Sequence, residues 1–158
     1  MSDCKCPTAA AACRLTPWIW VASLALAGCG EGRDGPPSVE SQIAIENVAK
    51  WYQLYRADNT GKQPADEDAF LSFINSKLVE RGQKPVDRKK LLTSPRDGEP
   101  YVVRYGKVNS RDQNGNLVAY EQKGVNGTKL IVSELARSRV VDEPELQSLL
   151  TDKRPHGN

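Results

Sequence analysis

The sequence predicts an α+β fold: an N-terminal amphipathic helix plus a second helix packed on a three- to four-stranded antiparallel meander, with a short C-terminal helix. Three observations carry this. Apolar side chains recur at helical spacing from Ile45 to Leu78. From Glu99 onward the chain breaks into short β-rich runs around Val102, Val118, Ile131 and Val140. Asp97-Gly98, Asn114-Gly115 and Asn126-Gly127 precede or separate those runs, and such pairs supply the positive φ angles of tight hairpin turns.

The first helix is expected over about 39–57. Ile45, Val48, Tyr52 and Tyr55 form a stripe widened by Ala44, Trp51 and Leu54, while Glu46, Lys50 and Arg56 lie off it. Ser38 suits the N-cap, and Asp58-Asn59-Thr60-Gly61 ends the helix. The aromatics of the stripe read as core rather than as a binding surface, because a small domain must bury its few large rings. After Pro64 a second helix is capped by Asp66, with Glu67 and Asp68 in the first turn, Phe70, Phe73, Ile74 and Leu78 on one face, and Gly82 at its end. A shorter helix over 87–92 stops at Ser94-Pro95, since proline disfavours helix in the residue before it. Three or four strands follow, and Asp142 then caps a final helix over 143–150.

Charge and thiols bound the function. The chain has 158 residues, with 22 Lys and Arg against 20 Asp and Glu. That balance argues against a nucleic-acid partner. Arg88, Lys89 and Lys90 read as a solvated face, with anionic headgroups as a lesser option. All four cysteines, Cys4, Cys6, Cys13 and Cys29, lie in the first 29 residues, leaving none beyond to pair or to bind metal. The only histidine, His156, lies in the C-terminal tail, and no nucleophile-elbow or zinc-protease pattern occurs. The carboxylate pairs Glu67 with Asp68 and Asp142 with Glu143 sit where helix starts favour acids. Asn126-Gly127-Thr128 matches a glycosylation acceptor but reads as a turn. No enzyme activity, cofactor or metal is expected.

The most specific motif is Leu26-Ala27-Gly28-Cys29. It closes an apolar run that begins at Leu15, behind Lys5 and Arg14, and the run is too short for the roughly 20 residues of a membrane-spanning helix. An uncleaved anchor, or an ordinary secretory signal with a chance cysteine, are the competing readings. The four residues resemble the lipobox of bacterial lipoprotein precursors. That resemblance implies cleavage between Gly28 and Cys29, a diacylglyceryl group on the Cys29 thiol, and often an acylated amino terminus. The expected layout is a signal peptide (1–28), a flexible tether (29–38) rich in glycine and proline, one globular domain (39–150) and a disordered tail (151–158). The protein is then membrane-attached through Cys29. Gly30 in place of Asp points to the outer membrane rather than the inner in a two-membrane organism.

A second resemblance concerns the domain. The loop Asp58-Asn59-Thr60-Gly61-Lys62-Gln63-Pro64 between two helices, then Ser94-Pro95-Arg96-Asp97-Gly98-Glu99-Pro100-Tyr101 leading into a strand, resembles the globular head of type II secretion pseudopilins. Ala119-Tyr120-Glu121-Gln122-Lys123-Gly124-Val125-Asn126-Gly127 resembles the family's closing strand and turn, with altered spacing. The family's prepilin site and long apolar assembly helix are missing from this sequence. Its calcium site uses acids of the closing loop, where Glu121 alone is acidic here, so no calcium is expected. The resemblance implies a structural or interaction role and an envelope protein as partner, with a link to a secretion apparatus; a plausible core without thiols leads us to expect a monomeric head. The alternative is a small solute- or polymer-binding lipoprotein using a groove between helix one and the sheet, with Trp51 or Tyr101 exposed. A lipid-anchored hydrolase would need Glu99, Asp112 and Glu121 to converge.

Overall fold

Each helix begins where a side-chain oxygen meets the unpaired N–H groups of its first turn. The computed structural model describes residues 36–106 and 111–151. These lie within one compact unit, Glu31–Asn158. The expected signal peptide with Gly28, the expected lipidation site Cys29, most of the expected tether and the tail beyond Thr151 are outside the described residues. Helix α1 (Val39–Asp58) is capped by Ser38, which accepts from Ser41 N, and α2 (Glu67–Glu80) by Asp66, which accepts from Ala69 N. Helix α3 (Arg88–Leu92) follows, where Asp87 accepts from Lys89 N. Asp142 accepts from Glu145 N at 2.8 Å at the start of α4 (Glu143–Thr151). Replacing such a cap by alanine costs about 1 kcal/mol.

Between α3 and α4 run β1 (Tyr101–Val103), β2 (Arg111–Asp112), β3 (Gly115–Glu121), β4 (Thr128–Ser133) and β5 (Ser138–Asp142). The main sheet has the order β1-β3-β4-β5, antiparallel throughout, and the short β2 pairs with the start of β3. This is the α+β meander that the sequence predicts, with β2 as an unforeseen addition. The turn at 125–128 matches expectation closely. Asn126 and Gly127 take φ of 52° and 71°, and Val125 and Thr128 exchange backbone hydrogen bonds of 2.9 and 3.0 Å. At Asn114-Gly115 the turn is displaced: Asp112 already pairs with Gly115, so Gln113 and Asn114 make the connection.

A register shift between Leu117 and Ala119 decides which side chains face which layer. An extra residue in one strand reverses the alternation beyond it. Leu117 therefore joins Ile131, Val141 and Leu146 on one face, whereas Val118, Ala119, Leu130 and Val132 join the larger core on the other. That larger core holds Ile45, Val48, Ala49 and Tyr52 of α1 with Phe70 and Ile74 of α2. Tyr52 meets Phe70 edge-on at 5.8 Å between ring centroids, and Tyr55 meets Phe73 at 5.0 Å.

Helices α1 and α2 pack on one face of the sheet, and α4 packs on the opposite face through Leu146. At nine residues α4 is too short to persist on propensity alone. Leu117, Ile131, Val141 and Leu146, each at most 2% exposed, hold it there at roughly 1.5–3 kcal/mol per fully buried aliphatic chain.

Candidate functional site

The two segments singled out in the sequence, 94–101 and 119–127, come together at a buried charge. Ser94 N donates to Glu99 O at 2.9 Å, Gly98 N to Ser94 O at 2.9 Å, and Arg96 N to Ser94 Oγ at 3.1 Å, winding the segment into a tight turn. The turn directs Arg96 toward β3 and β4. There Arg96 Nη1 donates to Glu121 Oε2 at 2.7 Å, while the Glu121 carboxylate also accepts from Leu130 N and Ser94 Oγ, each at 2.8 Å. The Glu121 side chain is wholly buried and that of Arg96 is 7% exposed. The other guanidinium nitrogen, Nη2, donates to Thr128 Oγ1 at 2.9 Å. Val125 O and Thr128 O lie 3.4 Å from the guanidinium.

A second tie runs alongside. Asp97 Oδ2 accepts from Gly124 N at 2.7 Å, joining the same turn to the β3–β4 hairpin. Gly124 has φ of +77°, and a Cβ added there would fall 2.3 Å from Thr128 O, so the close approach requires glycine. A buried carboxylate without partners is prohibitively expensive, and removing one member of a buried pair leaves such a charge. Turn and hairpin are therefore one polar unit whose hydrogen bonds are directed inward. Glu121, surrounded by donors and closed to solvent, holds these segments together.

The pair was not among the sequence-predicted site residues. The sequence offers Glu121 as the one acid of the closing loop and as an acid that could converge with Glu99 and Asp112. Instead Glu121 is spent on Arg96, and Glu99 is exposed. The spacing that brings Arg96 and Glu121 together is tertiary, and no local periodicity signals it. Among the described residues, no group of three or more His, Cys, Asp or Glu is placed to hold a metal ion.

The remaining candidates lie apart. Tyr101 is buried at 6% exposure and does not present its ring as an open binding face. Its hydroxyl is buried without a hydrogen-bond partner. Burial, then the Glu121 and Asp97 charges, push its ionisation up, while the neighbouring Ser94 hydroxyl, outside hydrogen-bond geometry, acts the other way. Trp51 is half-buried beneath the Arg81 guanidinium at 6.0 Å. Glu67 at the start of α2 pairs with Arg88, and Glu143 at the start of α4 pairs with Lys129 at 3.0 Å. A hydrogen bond from Gln147, then one from Lys129, lowers the Glu143 pKa.

The expected groove between helix one and the sheet is occupied by packing: Ile45, Val48, Ala49 and Tyr52 of α1 share one core with β3 and β4. Among the described residues, hollows lie elsewhere. One of about 450 Å³ runs between α1 and α3, lined by Ile43, Ala44, Asn47, Lys90, Leu91 and Glu40. A second of about 360 Å³ borders Lys89, Lys90 and Thr93. A third of about 380 Å³ lies among Glu67, Arg88, Lys89, Leu92, Pro100 and Tyr101. Comparison with known proteins finds no matching family model, no matching curated protein and no matching solved structure.

Proposed function

We propose that this protein is a lipid-anchored bacterial envelope protein whose α+β head has a non-enzymatic, structural or interaction role. The observation that carries the reading is Leu26-Ala27-Gly28-Cys29, placed after a short apolar run and before a Gly/Pro-rich segment that leads into α1. Two features of the head support it. No cysteine lies beyond Cys29. The most deeply buried charged pair, Arg96 with Glu121, is used internally. The order helix, loop, helix, turn and meander supports a pseudopilin-like head, which we extend to docking on another envelope protein, such as part of a secretion apparatus.

Cys29→Ala tests the anchor. Metabolic labelling with an alkyne fatty acid should mark the native chain and not the variant, which should accumulate unprocessed or in soluble form; equal labelling of both would sink the reading. Two acyl chains give stable residence on a bilayer where one gives only marginal binding. A second reading, a small-solute-binding lipoprotein, draws on the hollow of about 380 Å³ that sets Arg88, Lys89 and Glu67 around Leu92 and Pro100. Its test is thermal stabilisation by small carboxylates that Lys89→Ala removes.

A further inference from the structure

We infer that the face made by the first two turns of α1 and by α3 rests on an anionic bilayer surface while the protein is held by its lipid. This rests on the lipoprotein reading. Val39 and Ile43, one helical turn apart, are 69% and 50% exposed, although a helix that packs on a core normally turns its apolar residues inward. Ile43 opens onto the hollow of about 450 Å³ between the two helices, with Ala44 and Leu91 beside it and Lys90 at its edge. Lys90 also borders the neighbouring hollow with Lys89, so apolar surface and two ammonium groups are continuous. Neither Lys89 nor Lys90 has an ion-pair partner among the described residues, whereas Arg88 is taken by Glu67. Two acids share the face. Asp87 is engaged as the cap of α3, and Glu40 sits in the first turn of α1, where the positive end of the helix dipole offsets its charge.

Chain connectivity selects a membrane over another occupant. The described chain begins at Pro36, beside these residues, and only the segment 29–38 separates Cys29 from Val39. A segment of that length reaches at most about 35 Å when fully extended. The lipid thus keeps this end of the head within reach of the headgroups at high effective concentration, where weak contacts are populated. Apolar side chains flanked by lysines suit that boundary, because the stems lie on apolar surface while the ammonium groups reach phosphate.

The test uses the mature lipoprotein in vesicles of phosphatidylcholine and phosphatidylglycerol at 3:1. The thiol of Cys29 is acylated, so Asn47→Cys takes an environment-sensitive dye at one position, and Thr151→Cys on α4, across the sheet, is the control. Quenching by nitroxide-labelled lipid should be at least twofold stronger at 47 than at 151. It should fall toward the control in pure phosphatidylcholine and in Lys89→Glu/Lys90→Glu. Equal quenching at both positions overturns the inference, as does a signal indifferent to lipid charge and to the lysines. A signal that follows protein density instead of lipid charge means a second copy, and also overturns it. Mass spectrometry of the amino-terminal peptide from the same sample separates the two levels. Acylated Cys29 with equal quenching leaves the lipoprotein reading standing, whereas unacylated Cys29 removes both.

Discussion

Arg96→Ala isolates the central polar unit of the head. In the native protein Glu121 is wholly buried and takes donors from Arg96, Leu130 N and Ser94 Oγ at 2.7–2.8 Å. The substitution leaves two neutral donors for a full negative charge. Breaking a buried pair in this way costs about 3–5 kcal/mol. The lost bond to Thr128 Oγ1 adds about 1 kcal/mol. The expected loss is therefore about 4–6 kcal/mol, comparable to the whole stability of a small domain. Equilibrium urea unfolding followed by circular dichroism measures it. The companion double variant Arg96→Met/Glu121→Leu removes both charges and should recover most of the loss, to within about 2 kcal/mol of native, because apolar replacement of a buried pair is often neutral. A single-variant loss under about 1 kcal/mol, or a double variant at least as damaged as Arg96→Ala, would refute the argument that the charges hold one another.

Three more outcomes are expected. Gly124→Ala should destabilise by about 3 kcal/mol or more, adding a clash with Thr128 O to a positive φ, whereas Gly127→Ala, with open space around it, should lose about 1–2 kcal/mol; equal losses in chemical denaturation would remove the role given to the close approach. Burial raises the Tyr52 hydroxyl from 10.0 to about 12, and raises Tyr101 and Tyr105 as well. The fold favours the neutral phenols, so their contribution is complete below about pH 10 and disappears as pH climbs through the folded values. Unfolding free energy measured from pH 8 to 12 should hold level and then fall above pH 10, in step with tyrosinate absorbance. A polypeptide beginning near Pro37 should fold as a monomer without lipid or metal, and excess EDTA or calcium should leave its thermal midpoint in place; a shift of several degrees with either would contradict the internal closure of the hairpin.

Local chemistry made much of this fold legible. Ser38, Asp66 and Asp142 mark helix starts because a capping oxygen needs only its own next few N–H groups, whereas Asp87, expected as the first residue of its helix, is its cap. Asn126-Gly127 is equally local. What escaped depends on distant chain. Whether Glu121 faces water is decided by Arg96, brought to it by the turn at 94–101, and by the register shift near Ala119 that turns the end of β3 over. Without the shift, Leu117 and Ala119 would share a face; with it they divide between two cores, and the second core requires α4 to cover it. The same reasoning explains why an aromatic stripe could be read correctly while the hollows between α1, α3 and the loop before β1 could not. Burial of a large ring follows from its size, whereas a hollow is set by how three elements meet.

The guanidinium among the oxygens of the β3–β4 hairpin fixes how the loop is closed. Arg96 brings positive charge to Glu121, Thr128 Oγ1 and the carbonyls of Val125 and Thr128, a set of oxygens that in another chain would suit a dissociable ion. A side chain of the same polypeptide cannot diffuse away, so closure of this loop has no dissociation constant and no dependence on ambient supply. A hairpin clasped from within is held by the covalent chain itself.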